Sequence, residues 1–146
     1  MKIFNKFKEN IFLKLQLILL LSIRIKLKIR ALKYLLLNKE RFNELKIEMF
    51  AHDKLPDVVL YDEQQNWLYF IEAVTSVGEI NPKRIIEIEE ITRNCSAGNI
   101  YITAFQDFKT YKKFANSLAW DTEVWLSEAP EHMIHLNGDR FMGPRD

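Results

Sequence analysis

The 146-residue chain predicts an α/β fold, a mixed β-sheet flanked by helices, with a helical segment at its N-terminus. Three observations predict it. Two runs of β-formers, residues 57–62 and 67–74, are separated by four polar residues, Glu63-Gln64-Gln65-Asn66, which is the pattern of an antiparallel hairpin. The second run is almost continuously apolar, as a strand covered on both faces of its sheet is. Beyond residue 81, helix signatures alternate with further strand-like runs.

The length is about one domain's worth. With 48% hydrophobic, 28% charged and 12% aromatic residues, the composition excludes a disordered chain, a collagen-like chain and a disulfide scaffold. The single cysteine, Cys95, cannot form an intramolecular disulfide and reads as a small core residue, so a reducing, cytoplasmic setting is the simplest expectation. Charge is split along the chain. Residues 1–39 hold ten Lys and Arg against one acid, a net +9, and residues 40–146 hold 11 against 19, a net −8. The chain therefore divides into a basic, apolar segment over 1–38 and a second portion over 39–146.

The first segment is predicted helical, since no Gly or Pro precedes Pro56 and Leu17 to Leu21 run unbroken, although Ile23 to Arg30 alternates with a strand period. Its longest uncharged run, Leu15 to Ile23, is nine residues, and a membrane span needs about 18, so no stable span is expected. Such a segment could lie on DNA or on a membrane surface, or simply cover a core.

The elements then follow in order. Residues 46–50 suit a short strand, and the 57–62/67–74 hairpin follows. Asn81-Pro82 opens a helix with a capping side chain and a proline at the first position; Ile85, Ile88 and Ile91 repeat at helical spacing, and Ser96-Ala97-Gly98 ends it. A strand is predicted over 99–105. Asp107 caps a helix over 108–118 with Phe108, Tyr111, Phe114, Ala115 and Leu118 facing inward, and two strands follow at 122–126 and 132–136, with a turn at Asn137-Gly138-Asp139.

Glu72 stands near the end of an otherwise apolar strand, where a carboxylate is costly to bury without a cation. Asp57 opens the neighbouring strand, and a hairpin brings the start of one strand beside the end of the next. The two carboxylates would then converge at one end of the sheet as a hard-oxygen site suited to Mg²⁺, with the backbone carbonyl of Ala73 as a third ligand. The plain alternative is a pair of strand-end residues facing solvent; the spacing alone does not separate the two.

The wording of the segment does more. Pro56-Asp57, fourteen residues, then Glu72-Ala73-Val74 resembles the PD-(D/E)xK nuclease signature, and more closely the BsuBI/PstI-type type II restriction endonucleases. The similar stretches are His52 to Asp62, Trp67 to Ser76, Pro82-Lys83-Arg84, Thr103-Ala104-Phe105, Ala119 to Trp125 and His132 to Phe141, so the resemblance covers roughly 40–146 and leaves 1–38 outside it. It implies a restriction-endonuclease-like catalytic domain over 39–146. The implied activity is Mg²⁺-dependent cutting of both strands of palindromic double-stranded DNA, with CTGCAG as the expected site, by a homodimer. Asp57 and Glu72 would be the metal carboxylates. The general signature has a lysine two residues after the Glu; here Val74 stands there, and an apolar side chain cannot stabilise a phosphorane. Lys83, on the first turn after Pro82, is the candidate for the missing catalytic cation, with Arg84 second, because a cation at a helix start opposes the helix dipole and suggests a use.

Glu87 and Glu90 could pair with Lys83 or form a solvated helix face. His132 and His135, three apart in a strand, face opposite sides and do not suit one metal. Lys109, Lys112, Lys113 and Arg140 are candidates for phosphate contacts. A family member would carry a substantial N-terminal helical portion that contacts DNA; residues 1–38 either replace it or are the remnant of a broken gene. Two other classes of function stay open: an inactive nuclease-fold remnant serving as a structural or dimerising module, and a DNA- or membrane-associated binding protein working through the basic segment.

Overall fold

The computed structural model describes residues 32–34, 39–48, 56–74, 78–129 and 133–136. These form strands β1 (Leu32–Tyr34), β2 (Val58–Asp62), β3 (Trp67–Val74), β4 (Gly98–Phe105), β5 (Thr122–Leu126) and β6 (Met133–Leu136), with helices α1 (Lys39–Glu44), α2 (Pro82–Thr92) and α3 (Phe108–Phe114). The six strands make one mixed sheet in sequence order. The β1–β2, β2–β3 and β5–β6 pairs are antiparallel, and the β3–β4 and β4–β5 pairs are parallel. The predicted α/β class is what is found, and the parallel pairs are those joined through α2 and α3, as parallel neighbours require.

The hairpin forms as its residues suggest. Asp62 Oδ1 accepts from the backbone N–H groups of Gln64 at 2.9 Å and Gln65 at 3.3 Å, and Asn66 takes a left-handed conformation, φ 55°, that asparagine tolerates well. Alternation then divides β2 and β3 between two buried faces. Val58, Leu60, Tyr69 and Ile71 pack with Ile102, Ala104 and Trp125 on one face. Val59, Tyr61, Leu68 and Phe70 pack with Ile80, Ile88 and Tyr101 on the other, the face that α2 covers. Residues of α3, Tyr111 and Phe114, pack with Val74, Phe105, Val124 and Leu126, which the strand register places on this same face.

Asn81 caps α2 as expected: its side chain accepts from Arg84 N–H at 2.9 Å, and Pro82 occupies the first helical position. Asn81→Ala should destabilise the protein by about 1 kcal/mol, measured by chemical denaturation; this cap also sets the turn that carries Arg84.

Several local expectations are corrected. Residues 32–34, assigned to the N-terminal helix, are a strand, because the outer edge of β2 takes up Leu32 to Tyr34 as its hydrogen-bonding partner. The rest of residues 1–38 lies outside the described residues. The strand expected over 46–50 is not present in its described part: Lys46 sits in a left-handed turn, φ 57°, that ends α1, and Ile47 and Glu48 bond through their N–H groups to Phe42 O and Ile91 O rather than to a strand. The helix expected over 108–118 stops at Phe114, with Phe108 and Ala115 exposed, since the chain must turn there to enter β5. The strand expected over 132–136 is found in its described part, Met133–Leu136; His132, the Asn137-Gly138-Asp139 turn and Arg140 lie outside the described residues. No helix among the described residues is long and apolar enough to cross a membrane.

Candidate active site

The register of the hairpin builds the site. Val58 pairs with Ile71, so the next position outward sets Asp57 opposite Glu72. Alternation from Phe70 puts Glu72 on the α2 face, and alternation from Val59 puts Asp57 there too. The Asp57 carboxylate is held down at the strand end: Oδ2 accepts the Ala73 N–H at 2.9 Å. Asp57, Glu72 and Ala73, the three positions expected to meet a metal, are thus together at one end of the sheet on one face.

Glu72 is buried, 7% exposed, among apolar strand residues. Burial pushes its carboxyl up to about 7 from the ordinary 4.5; the Arg84 guanidinium pulls it down, and the neighbouring Asp57 charge adds to the rise. Arg84 is its partner. Nε and Nη2 both lie 2.7 Å from Glu72 Oε1, and Nη1 lies 3.0 Å from Glu87 Oε2. Behind Glu72, its β4 neighbour Thr103 is fully buried, and Thr103 Oγ1 accepts the Ile80 N–H at 3.1 Å. That bond fixes Ile80, the residue just ahead of the α2 cap, against β4 at the position beside Glu72, so the first turn of α2 stands over the carboxylates.

Lys83 is not brought to the site. Its side chain is 86% exposed and its amine lies 3.9 Å from Glu87. The reason is helical phase: Arg84, Ile88 and Ile91 fall at i, i+4 and i+7 on the inward stripe of α2, whereas Lys83 is one residue out of phase with it. The buried Ile88 and Ile91 could therefore have pointed to Arg84 from the sequence. Thr103 had no comparable signal, because its role depends on the β3–β4 register.

The donor set suits a small hard cation. Among the described residues, no three His, Cys, Asp or Glu side chains gather to hold a metal. An ion here would rest on two carboxylates, a backbone carbonyl and water, which is how Mg²⁺ is commonly held next to a phosphate. His135 does not contribute; its Nδ1 lies 2.7 Å from Glu123 Oε1, a pair that alternation puts on the opposite face of the sheet.

The family model of the BsuBI/PstI restriction endonuclease domain matches residues 1–139. The chain belongs to that family. The match begins at residue 1, so the segment 1–38, expected to lie outside the resemblance, is inside it. Type II restriction enzyme BsuBI of Bacillus subtilis is 40% identical over 107 residues, 73% of this chain and 34% of that enzyme. Type II restriction enzyme AplI of Arthrospira platensis is 36% identical over 92 residues, 63% of this chain and 28% of that enzyme. The structure of SdaI restriction endonuclease superposes with a TM-score of 0.65 at 36% identity, covering 74% of this chain and 34% of that one. The chain spans about a third of the length of these relatives.

Proposed function

We propose that this chain carries the phosphodiester-hydrolysing site of a type II restriction endonuclease acting on palindromic double-stranded DNA. Asp57, Glu72 and the Ala73 carbonyl hold Mg²⁺ in this reading. CTGCAG is the site to try first, and a cytoplasmic homodimer, each copy addressing one strand of the palindrome, is the working form. The observation that carries the reading is the Asp57 carboxylate bonded at 2.9 Å to the backbone beside buried Glu72, on the face that α2 covers.

When bound, the metal supplies Lewis-acid polarisation of a phosphoryl oxygen and a more acidic water. The chain's own residues do the rest. The Asp57 bond to Ala73 N–H keeps two carboxylates at a fixed separation along the strand ends. The low-polarity wall formed by Phe70, Val74 and Ile80 strengthens every charge interaction in the site. Arg84 takes the part of the missing lysine: its guanidinium, largely sheltered and already beside Glu72, can donate to a phosphate that gains negative charge as water adds and the sugar oxygen departs. Lys83, the cation expected from the sequence, is the runner-up for that part.

The test is nicking of a supercoiled plasmid carrying CTGCAG by the purified chain, with Mg²⁺ and with EDTA, beside an Asp57→Ala preparation. Cleavage that needs Mg²⁺ and is lost in Asp57→Ala supports the reading. Its absence at high protein concentration favours an inactive nuclease-fold remnant.

A further inference from the structure

Arg84 is shared between two carboxylates on different elements. Nε and Nη2 donate to Glu72 Oε1 from α2 to the sheet, and Nη1 donates along the helix to Glu87 Oε2 at 3.0 Å. A guanidinium can do this because its five N–H groups form a planar fork with more than one usable edge. The two partners differ in surroundings: the Glu72 side chain is 10% exposed and the Glu87 side chain 27%. A guanidinium 2.7 Å from Glu72 opposes a second cation at the same carboxylate. Once Glu72 turns to a metal, Arg84, itself 15% exposed, would be a sheltered cation short of one partner.

We propose that Glu87 is a positioning residue for this site: it keeps hold of Arg84 when Glu72 engages a divalent cation, so that the guanidinium changes partners without leaving the place where phosphate charge develops. The inference rests on the nuclease reading and extends it, since it couples metal loading to release of the arginine. Lys83, 86% exposed and 3.9 Å from Glu87, is the weaker partner of that carboxylate and does not compete with Arg84 for it.

The test is Mn²⁺ binding to the full chain, followed by the electron paramagnetic resonance signal of the free ion, with circular dichroism confirming that each variant is folded. Asp57→Ala should abolish site binding. Glu87→Gln should weaken Mn²⁺ binding by about fivefold or more, because the guanidinium then stays on Glu72. In an Arg84→Gln background the same Glu87→Gln change should move the affinity by less than about twofold. Glu87→Asp should recover most of the loss. Equal effects of Glu87→Gln with and without Arg84 would mean only the loss of a nearby negative charge and would overturn the inference, as would wild-type affinity in Glu87→Gln. Failure of the wild-type chain to bind Mn²⁺ through Asp57 would instead remove the nuclease reading itself.

Discussion

Arg84→Ala is expected to lower Mg²⁺-dependent cleavage by about 10²–10³-fold, and Lys83→Ala to change it by less than about threefold. The contrast follows from where α2 puts the two cations. A donor aimed at a phosphorane in a sheltered site contributes roughly 3–4 kcal/mol of transition-state stabilisation, whereas a solvated amine contributes little. Arg84 touches Glu72, and Lys83 is 86% exposed. Arg84→Lys should recover part of the activity, since it restores the charge without the planar fork. Single-turnover cleavage of a short duplex measures all three variants. A larger loss in Lys83→Ala than in Arg84→Ala would return the role to Lys83.

The second large effect concerns stability. The folded pKa of Glu72 lies near 7, above its ordinary 4.5, mainly because the carboxyl is buried. Between those values the native state keeps a proton that the unfolded chain has released. The contribution of Glu72 to the stability of the metal-free protein is therefore fully present below about pH 4.5 and is lost as pH rises toward and through 7. At 1.36 kcal/mol per pH unit the total is on the order of 3 kcal/mol. Glu72→Gln mimics the protonated form. In EDTA at pH 8 this variant should be more stable than wild type by about 1–3 kcal/mol, with the two converging near pH 4.5. Urea denaturation across that range reads the difference directly. Saturating Mg²⁺ at pH 8 should stabilise the wild type and leave Glu72→Gln nearly unchanged. A wild type that is the more stable protein at pH 8 without metal would show that the Arg84 pair outweighs the burial.

Both effects arise at one place, the buried Glu72 carboxylate and its Arg84 partner. The position of the carboxylate was legible in the residues. An acid inside the run Leu68 to Val74 stands out by position, and fourteen residues between Asp57 and Glu72 fit one strand, a four-residue turn and a return strand, but whether Glu72 faces solvent or is buried was settled only by the fold. The choice between Lys83 and Arg84 was half-legible. The dipole argument marks both cations, but only the phase of Ile88 and Ile91 tells which one turns toward the sheet. The misread elements are short ones. Leu32 to Tyr34 is a strand because β2 offers it an edge, and Lys46 ends a helix because the chain must turn back toward Ile91 O.

By itself the sequence determined the hairpin, the caps of α2 and α3, the burial of β3 on both its faces, and the meeting of Asp57 and Glu72 at one end of the sheet. All of these depend on interactions within a few residues or on a period of two. Only the tertiary structure decided that α2 lies on the face where those carboxylates point. It also decided that Thr103 anchors its approach through Ile80, that Arg84 is shared by Glu72 and Glu87, and that β1 joins the sheet. Those facts follow from strand order and from which surfaces are left to be covered. They are set by contacts between segments far apart in the chain, for which local propensity carries no record.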